Sequence, residues 1–341
     1  MDALTCKKIN DKAVWEQHLR AFPESNFLQS WNWGVFHESL GKEVGRLAFF
    51  DETKQIVSMV QYILEQSKRG TYLSIPAGPL FHQYNQTTIA PIFSYLREIA
   101  INKRCLFIRF RVQQRESEEL RVCVQQCGAI PSPMHITADR TLQLNISQPE
   151  SEILGQMRKS TRYEIKKAEK LGVTTSISTD MQEVHAFFLH QLEVAKRQKF
   201  VPFSEIFLTK QFLAFLADHQ VALIHSQYGS TLLATAFVIF YHQEAVYHYG
   251  ISTESSRQYS GAYATQWRAI QEAKKRGCTV YNFWGVAPES ETKHRFASLS
   301  IFKRGFGGQE IQYLPAQDIP THPLYIVTRM FEQLRKKRRK L

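Results

Sequence analysis

Apolar and polar positions along this chain follow two periods, one of two residues and one of three to four. The shorter period is typical of strands with one buried face, and the longer period is typical of amphipathic helices. Strands are predicted at residues 46–51, 55–65, 70–76, 105–112, 140–145, 221–227, 231–241, 244–250, 280–283 and 310–314. Helices are predicted at residues 12–40, 89–103, 121–128, 150–171, 181–198, 209–217, 257–275 and 324–334. The pattern therefore predicts an α/β (α+β) fold class.

The length of the chain predicts two domains. A chain of 341 residues exceeds the ~250–300 residues at which a single core stops growing. The segment Ser147-Gln148-Pro149 follows a predicted strand and is the predicted boundary. We therefore expect a first domain over residues 1–147 and a second over 148–316. Residues 317–341 are predicted to form a C-terminal helix that packs back on the first domain and ends in a basic tail.

The charge balance favours polyanionic partners. The formal net charge is +12, and the chain ends in the sequence LRKKRRKL. Nucleic acid, nucleotide phosphates and an anionic membrane face all match such a surplus, and mere solubility also explains it. For the basic tail, a solvated end, tRNA and peripheral contact with an anionic membrane stay open as explanations.

One stretch concentrates aromatics, a lysine and glycines in a single bend. Residues 281–313 read YNFWGVAPESETKHRFASLSIFKRGFGGQEIQY. A strand, a loop, a short segment ending in Phe302-Lys303 and a Gly-rich turn are predicted in that order. From residue types alone, a buried aromatic hairpin and a binding site are equally compatible with this stretch.

Three motifs resemble one known family, the FemABX peptidyltransferases. They are QSWNWG near the start, MRKSTRYEIKKAEKLGV at 157–173, and YNFWGV followed by FKRGFGGQ. Members of that family use aminoacyl-tRNA to add amino acids to peptidoglycan precursors. The resemblance implies two GNAT-like domains, each a mixed, mostly antiparallel sheet flanked by helices. Because no long charged insertion interrupts residues 173–281, no coiled-coil arm is expected.

The resemblance implies roles for four residues of the second domain. Lys303 aligns with the family lysine expected to stabilise the oxyanion, and Phe302 is expected to pack beside the adenosine end of the donor. Arg197 matches an arginine that grips the precursor phosphate. Tyr249, in the sequence YHYG, resembles a family tyrosine near the acceptor. Strand alternation predicts that Tyr249 and Tyr247 share one face.

In the first domain the chain departs from the family pattern. Trp33 is an expected substrate-binding residue, but the place where the family carries a phosphate-binding lysine is either occupied by Phe36 or shifted to Lys42. An Asp-Pro pair expected after strand 105–112 is also absent, and the chain has Arg109 and Arg111 instead. We expect two exposed arginines beside a cleft, with Arg109 binding substrate phosphate.

A basic helix opens the second domain. Four of its cations are candidate tRNA-binding or phosphate-binding residues: Arg158, Lys159, Arg162 and Lys166. A solvated basic face is the ordinary explanation for such a run. The net charge and the resemblance favour contact with an RNA backbone, which would make binding salt-dependent.

Cysteine usage and the N-terminal sequence bear on location and cofactors. The five cysteines are scattered without a metal-ligand pattern, so neither a metal nor a cofactor is expected. Reduced thiols and a start without an apolar signal core favour a cytoplasmic protein.

Two functions of different chemistry stay open. The first is an aminoacyltransferase that uses aminoacyl-tRNA and acts on the stem-peptide amine of a UDP-linked or lipid-linked muropeptide. The second is an acyl-CoA-dependent GNAT N-acyltransferase acting on a small amine or sugar. The segment RQYSGAYA at 257–264 resembles the GNAT loop that holds the cofactor pyrophosphate at a helix N-terminus. No general base is identified.

Overall fold

The computed structural model describes residues 4–67, 70–198 and 200–339. Lys340 and Leu341, the end of the predicted basic tail, lie outside the described residues. The chain forms two compact units. Unit 1 comprises the residues up to Asp139 and those from Gln312 onward, and unit 2 comprises Arg140–Ile311.

The elements follow in chain order. Unit 1 begins with β1 (Thr5–Lys8), α1 (Lys12–Leu19), α2 (Trp31–Ser39), β2 (Val44–Phe50), β3 (Ile56–Ser67), β4 (Gly70–Pro76), β5 (Leu80–Phe81), α3 (Gln86–Asn102), β6 (Phe107–Arg111), α4 (Glu118–Gln126) and β7 (Ile130–Pro131). Unit 2 contains β8 (Arg140–Asn145), α5 (Glu150–Gln156), α6 (Lys159–Lys170), β9 (Thr174–Ser178), α7 (Gln182–Gln198), α8 (Glu205–Leu216), β10 (Val221–Tyr228), β11 (Thr231–Tyr241), β12 (Glu244–Ser252), α9 (Ser256–Tyr259), α10 (Gly261–Lys275), β13 (Val280–Gly285), α11 (Ala297–Arg304) and β14 (Gln309–Gln312). The chain then returns to unit 1 with β15 (Gln317–Pro320) and α12 (Tyr325–Arg339).

Each unit is built on one mixed sheet. In unit 1 the strand order is β1-β2-β3-β4-β6-β15-β7, with β5 paired to β3. In unit 2 the order is β14-β8-β13-β12-β11-β10-β9. The β4–β6 and β12–β13 ladders are parallel, whereas β2–β3, β3–β4, β10–β11 and β11–β12 are antiparallel. This architecture confirms the predicted α/β (α+β) fold of mixed, mostly antiparallel sheets.

Helices cover the sheets through apolar faces. In unit 1, α3 contributes Ile92, Phe93 and Leu96 to a core that also holds Ile108 and Phe110 of β6. In unit 2, α10 contributes Ala269 and Ile270 to a separate core beside β11 and β13. Side chains at helix starts fix the boundaries, since Ser30, Asn85 and Ser117 each accept a backbone N–H of the first turn.

The division of the chain differs from the predicted one. The strand β8 was expected to close the first domain, but it pairs with β13 in the sheet of unit 2. The observed boundary between Asp139 and Arg140 therefore precedes the predicted one at 147/148. Residues 312–316, expected in the second domain, belong to unit 1.

The C-terminal segment is tied to unit 1 by a buried ionic network. Arg109 of β6 contacts both carboxylate oxygens of Asp318 at 2.7 and 2.8 Å, and it donates to Glu332 of α12 at 2.7 Å. The Tyr325 hydroxyl donates to Asp318 at 2.7 Å. This network joins β6, β15 and α12.

In unit 2, the longest helix of the described residues is α7, with 17 residues. No helix in the described ranges combines the length and apolar character required to cross a bilayer.

Candidate active site in unit 2

The site lies where two parallel strands of unit 2 stop pairing. Strands β12 and β13 pair only from Glu244 with Val280 to Val246 with Asn282. Both strands continue beyond this point, but their later residues do not pair with each other in the described chain. Backbone N–H and C=O groups that border such a gap have no partner on the neighbouring strand, so a bound ligand can form hydrogen bonds with them.

Lys303 reaches this gap from α11. Its Nζ donates to the Gly285 carbonyl oxygen at 2.7 Å and lies 5.7 Å from the ring centroid of Tyr247. Gly285 ends β13 and Tyr247 lies on β12, so the ammonium contacts both strands that border the gap. The Lys303 residue is only 5% exposed.

Burial changes the acidity of Lys303. Desolvation lowers the pKa of its ammonium to about 7. Within the described residues, no carboxylate lies within ion-pair distance of Nζ. The side chain is therefore divided between charged and neutral forms near neutral pH, which is an arrangement typical of functional lysines.

A hydrogen-bonded chain holds the carbonyl that Lys303 contacts. Trp284 has a φ of 62°, a left-handed conformation that is costly for a residue with a large side chain. Asn282 stabilises it, since its Oδ1 accepts the Trp284 N–H at 2.8 Å. The Asn282 amide in turn donates to Glu244 Oε1 at 2.8 Å. Burial raises the pKa of Glu244 to about 7.

Aromatic rings surround the start of the Gly-rich turn. Phe302 makes edge contacts with Tyr263 and Phe306, with ring centroids 5.0 and 5.3 Å apart. The turn itself requires glycine at Gly308, where φ is 93° and a Cβ would lie 2.4 Å from the Gln143 carbonyl oxygen. Phe302 is thus packed against two aromatic rings, and it directly precedes Lys303 in the chain.

A β-bulge in β12 separates two tyrosines that were expected to share a face. Tyr249 pairs with Phe237, and Tyr247 pairs with the adjacent Val238, so His248 is the extra residue. The expectation of a common face for Tyr247 and Tyr249 is therefore wrong. Tyr247 packs on the core that contains Val238 and lies over Lys303.

Tyr249 lies on the other face of the sheet. Its ring contacts Phe203 and Phe237, and its hydroxyl donates to Gln211 Oε1 at 3.1 Å. Tyr247, for which the sequence predicted no role in the site, is the tyrosine beside the lysine. No local sequence signal distinguishes a bulged strand from a regular one at this position.

Arg197 lies near the end of α7, beside the end of β12. Its Nη2 donates to the Ser252 carbonyl oxygen at 2.7 Å, and its Nη1 lies 3.7 Å from Glu254. The side chain is 37% exposed. The guanidinium is accessible, and its role as a phosphate ligand remains a prediction.

The candidate residues of unit 1 are buried. Arg109 is 4% exposed and is neutralised by Asp318 and Glu332, so the prediction of an exposed phosphate-binding Arg109 is wrong. The carboxylates that neutralise it come from a segment about 200 residues away in sequence, which no local pattern reveals. Trp33 packs edge-on against Phe27, with centroids 5.5 Å apart, and is 8% exposed.

The basic helix α6 begins beside the Lys303 segment. The backbone N–H of Arg158 donates to the Gly305 carbonyl oxygen at 2.9 Å. Arg158, Lys159 and Lys166 are exposed, whereas Arg162 folds back onto carbonyl oxygens at the end of α5, including that of Gly155 at 3.3 Å. Three of the four predicted RNA-binding cations are thus available to solvent.

A carboxylate of the protein already lies at the helix N-terminus where the CoA-dependent alternative would bind pyrophosphate. The Glu164 carboxylate of α6 accepts the Ser260 hydroxyl at the start of α10. Backbone donors of the first turn also have internal partners, because Ala262 N–H donates to Ser256 Oγ at 2.9 Å and Tyr263 N–H donates to the Ser260 carbonyl at 3.1 Å. A pyrophosphate at this terminus would meet a carboxylate and few free donors.

The described residues contain no cluster of metal-ligating side chains. Across residues 4–67, 70–198 and 200–339, the structure places no group of three or more His, Cys, Asp or Glu side chains close enough to hold a metal ion.

Solved structures resemble the whole chain. A crystal structure of FemX superimposes with a TM-score of 0.83 at 15% identity, covering 96% of this chain and all of that one. A tandem GNAT protein from the clavulanic acid biosynthesis pathway has a TM-score of 0.60 at 9% identity, covering 94% of this chain and 99% of the other. These similarities show the fold of the chain.

Sequence relatives point to the same family. Aminoacyltransferase FemA of Staphylococcus epidermidis is 29% identical over 115 residues, which are 33% of this chain and 28% of FemA. FemA of Staphylococcus aureus strain MW2 is 30% identical over 92 residues, 27% of this chain and 22% of FemA. The match therefore spans less than a third of these curated relatives. The sequence pattern of the FemAB family matches residues 11–119 and 218–333, and this chain belongs to the FemAB family.

Proposed function

We propose that this protein is an aminoacyltransferase. It takes an amino acid from aminoacyl-tRNA and joins it to the stem-peptide amine of a peptidoglycan precursor, either a UDP-linked or a lipid-linked muropeptide. The observation that carries the proposal is the buried Lys303 in the gap between β12 and β13. Membership of the FemAB family supports the reaction class.

The proposed reaction is the aminolysis of an ester. The acceptor amine attacks the ester carbonyl, a C–N bond forms, the C–O bond to the tRNA ribose breaks, and the amine proton ends on the ribose oxygen. The ester is already activated, so the protein chiefly has to orient the amine and stabilise the developing oxyanion. No residue of the chain is assigned as a base.

Lys303 is the proposed oxyanion donor. An ammonium group has three donors, and one of them is directed to Gly285. The remaining donors are available for a substrate carbonyl in a site from which solvent is largely excluded. A fixed donor of this kind contributes about 10²–10³-fold to the rate in acyl transfer.

The surrounding residues supply the proposed binding surfaces. Phe302 would pack against the terminal adenosine of the donor, and Tyr247 would border the acceptor side of the gap in place of the predicted Tyr249. The exposed cations of α6 adjoin the Lys303 segment through the Arg158–Gly305 contact, which suits an RNA backbone leading to that gap. Arg197 remains the proposed ligand of the precursor phosphate.

The CoA-dependent alternative is disfavoured by Glu164. Its carboxylate lies at the helix terminus where a CoA pyrophosphate would bind, and like charges repel there. The fold alone does not decide between the two reactions, since it also matches a tandem GNAT protein. An experiment that decides between the two reactions therefore has to offer both donors.

The test measures product mass. Purified protein is mixed with charged tRNA pools and UDP-MurNAc-pentapeptide, or with the lipid-linked acceptor, and parallel reactions contain acetyl-CoA in place of tRNA. We expect a muropeptide heavier by one amino-acid residue. Lys303→Met should lower the rate by about 10²-fold or more, whereas the exposed control Lys275→Met should not change it. Product only with acetyl-CoA, or no product with either acceptor, would contradict the proposal.

A further inference from the structure

Helix α12 carries its polar and apolar sides in an inverted arrangement. Thr328 and Glu332 face unit 1 and are each 7% exposed. Tyr325 at the start of the helix is buried, but five further apolar side chains are 53–67% exposed: Ile326, Val327, Met330, Phe331 and Leu334. A surface helix of a globular protein normally buries its apolar stripe and exposes its polar side.

The exposed apolar residues form one continuous stripe. Ile326, Met330 and Leu334 follow each other at intervals of four residues, and Val327 and Phe331 form a second row at the same spacing. Residues four apart lie above one another on a helix. The stripe lies on the side of α12 opposite Thr328 and Glu332, because these two are about half a turn away from its centre.

Cations follow the stripe along the helix. Arg335, Lys336, Lys337 and Arg338 occupy the turn after Leu334. Within the described chain, none of the four has a carboxylate within ion-pair distance. Lys337 and Arg338 are exposed, and they lie three and four residues after Leu334, which places them on the same side of the helix as the stripe.

We propose that α12 is a docking surface for an anionic lipid bilayer. Its apolar stripe enters the boundary between headgroups and acyl chains, and Lys337, Arg338 and their neighbours contact lipid phosphates. Amphipathic helices with an apolar side and a cluster of Lys and Arg bind such interfaces through both contributions.

Binding of RNA or of a second copy of the chain would account for only part of this surface. An RNA backbone would neutralise the cations but would leave Met330 and Leu334 in water. A second copy would cover the stripe, but two copies that each carry a formal net charge of +12 repel one another. An anionic bilayer would bury the apolar stripe and would also neutralise the cations.

The test is vesicle flotation of the full chain. Vesicles consist of phosphatidylcholine alone or of phosphatidylcholine with phosphatidylglycerol, and the assay contains neither tRNA nor acceptor. Its outcome is therefore independent of the transferase proposal. We expect flotation with the anionic vesicles and little with the neutral ones. Absence of flotation with anionic vesicles, or equal flotation with both, would overturn the proposal.

Two pairs of variants separate the contributions. Met330→Gln/Leu334→Gln should weaken partitioning by about tenfold or more, while Ile101→Gln/Val122→Gln, which removes two exposed apolar residues elsewhere in unit 1, should not. Lys337→Gln/Arg338→Gln should weaken binding by about fivefold for each charge, unlike the control Lys8→Gln/Arg20→Gln.

Two further outcomes would overturn the proposal. In one, Met330→Gln/Leu334→Gln leaves flotation unchanged but converts an oligomer to a monomer in sedimentation velocity, which would assign the stripe to self-association. In the other, Lys337→Gln/Arg338→Gln lowers tRNA retention on a filter and leaves flotation unchanged, which would assign the cations to RNA.

Discussion

At the scale of single residues, Lys303 makes the proposed reaction sensitive to pH. Burial lowers the pKa of its ammonium to about 7, and only the protonated form can stabilise an oxyanion as a cation. Because the protonated fraction falls as pH rises through the pKa, we expect the contribution of Lys303 to kcat/KM to decrease with a midpoint near pH 7, on top of the increase that comes from deprotonation of the acceptor amine. Initial rates between about pH 6 and 9 would show this limb.

A variant with fixed charge provides the control for this profile. Lys303→Arg keeps a cation at all these pH values, so the limb near pH 7 should disappear even if the absolute rate falls. A ratio of wild-type to Lys303→Arg kcat/KM that stays constant or increases through pH 7 would contradict the assignment, because the acceptor amine titrates identically in both reactions.

Burial of Lys303 should also lower the free energy of unfolding. Its pKa falls from 10.5 to about 7 in the folded state, so the unfolded chain binds the proton more tightly between these values. Stability linked to this group therefore rises with pH from about 7 to about 10.5. At neutral pH the desolvation of the Lys303 ammonium therefore lowers the stability of the fold, by an amount on the order of several kcal/mol.

Removing the charge should consequently stabilise the protein. We expect Lys303→Met to increase the free energy of unfolding at pH 7 by about 2 kcal/mol in urea titrations, although it loses transfer activity. The exposed Lys275→Met should leave stability unchanged. A loss of stability in Lys303→Met would show that the hydrogen bond to Gly285 outweighs the desolvation of the ammonium.

At the scale of elements, the bulge in β12 decides which side chain lies beside Lys303. The shift in register places Tyr247 over Gly250, where a Cβ would lie 1.7 Å from the tyrosine hydroxyl oxygen. We expect Gly250→Ala to push the Tyr247 ring away from Lys303 and to lower kcat by about tenfold. Steady-state kinetics together with thermal unfolding would check this.

A second glycine gives the matched control for this prediction. A Cβ at Gly155 would have no heavy atom within 4 Å, so Gly155→Ala should preserve activity and raise stability slightly in α5. Equal activity of Gly250→Ala and Gly155→Ala would mean that Tyr247 does not border the reacting groups.

The elements themselves were predictable from local pattern, and the site was predictable only in part. Alternation predicted the strand 231–241, which is the observed β11, and helical spacing predicted 181–198, observed as Gln182–Gln198. Lys303 and Phe302 came from a family resemblance. The bulge at His248 and the neutralisation of Arg109 depend on neighbours far away in sequence, so the pattern around them carried no signal.

At the scale of the whole molecule, the two units differ in how the chain builds them. Unit 2 is one continuous segment, Arg140–Ile311, with its own apolar core. Unit 1 needs the returning segment, because β15 lies between β6 and β7 and carries Asp318. The sequence predicted that residues 317–341 pack back on the first domain as a helix, but it did not predict that this segment also adds a strand, β15, to the sheet of unit 1.

This difference predicts how fragments behave. Residues 140–311 expressed alone should unfold cooperatively, because their sheet and core are complete. Residues 1–139 alone should not fold, since Arg109 would be left as a buried charge without Asp318 and Glu332, at a cost of about 3–5 kcal/mol, and β6 would lose its antiparallel partner. Far-UV circular dichroism with thermal melting would distinguish the two fragments.

A circularly permuted fragment in which residues 312–341 are linked ahead of residues 4–139 should recover folding, and the same fragment with Asp318→Asn should be less stable. Cooperative folding of 1–139 alone would show that β15 and α12 are accessories rather than parts of unit 1.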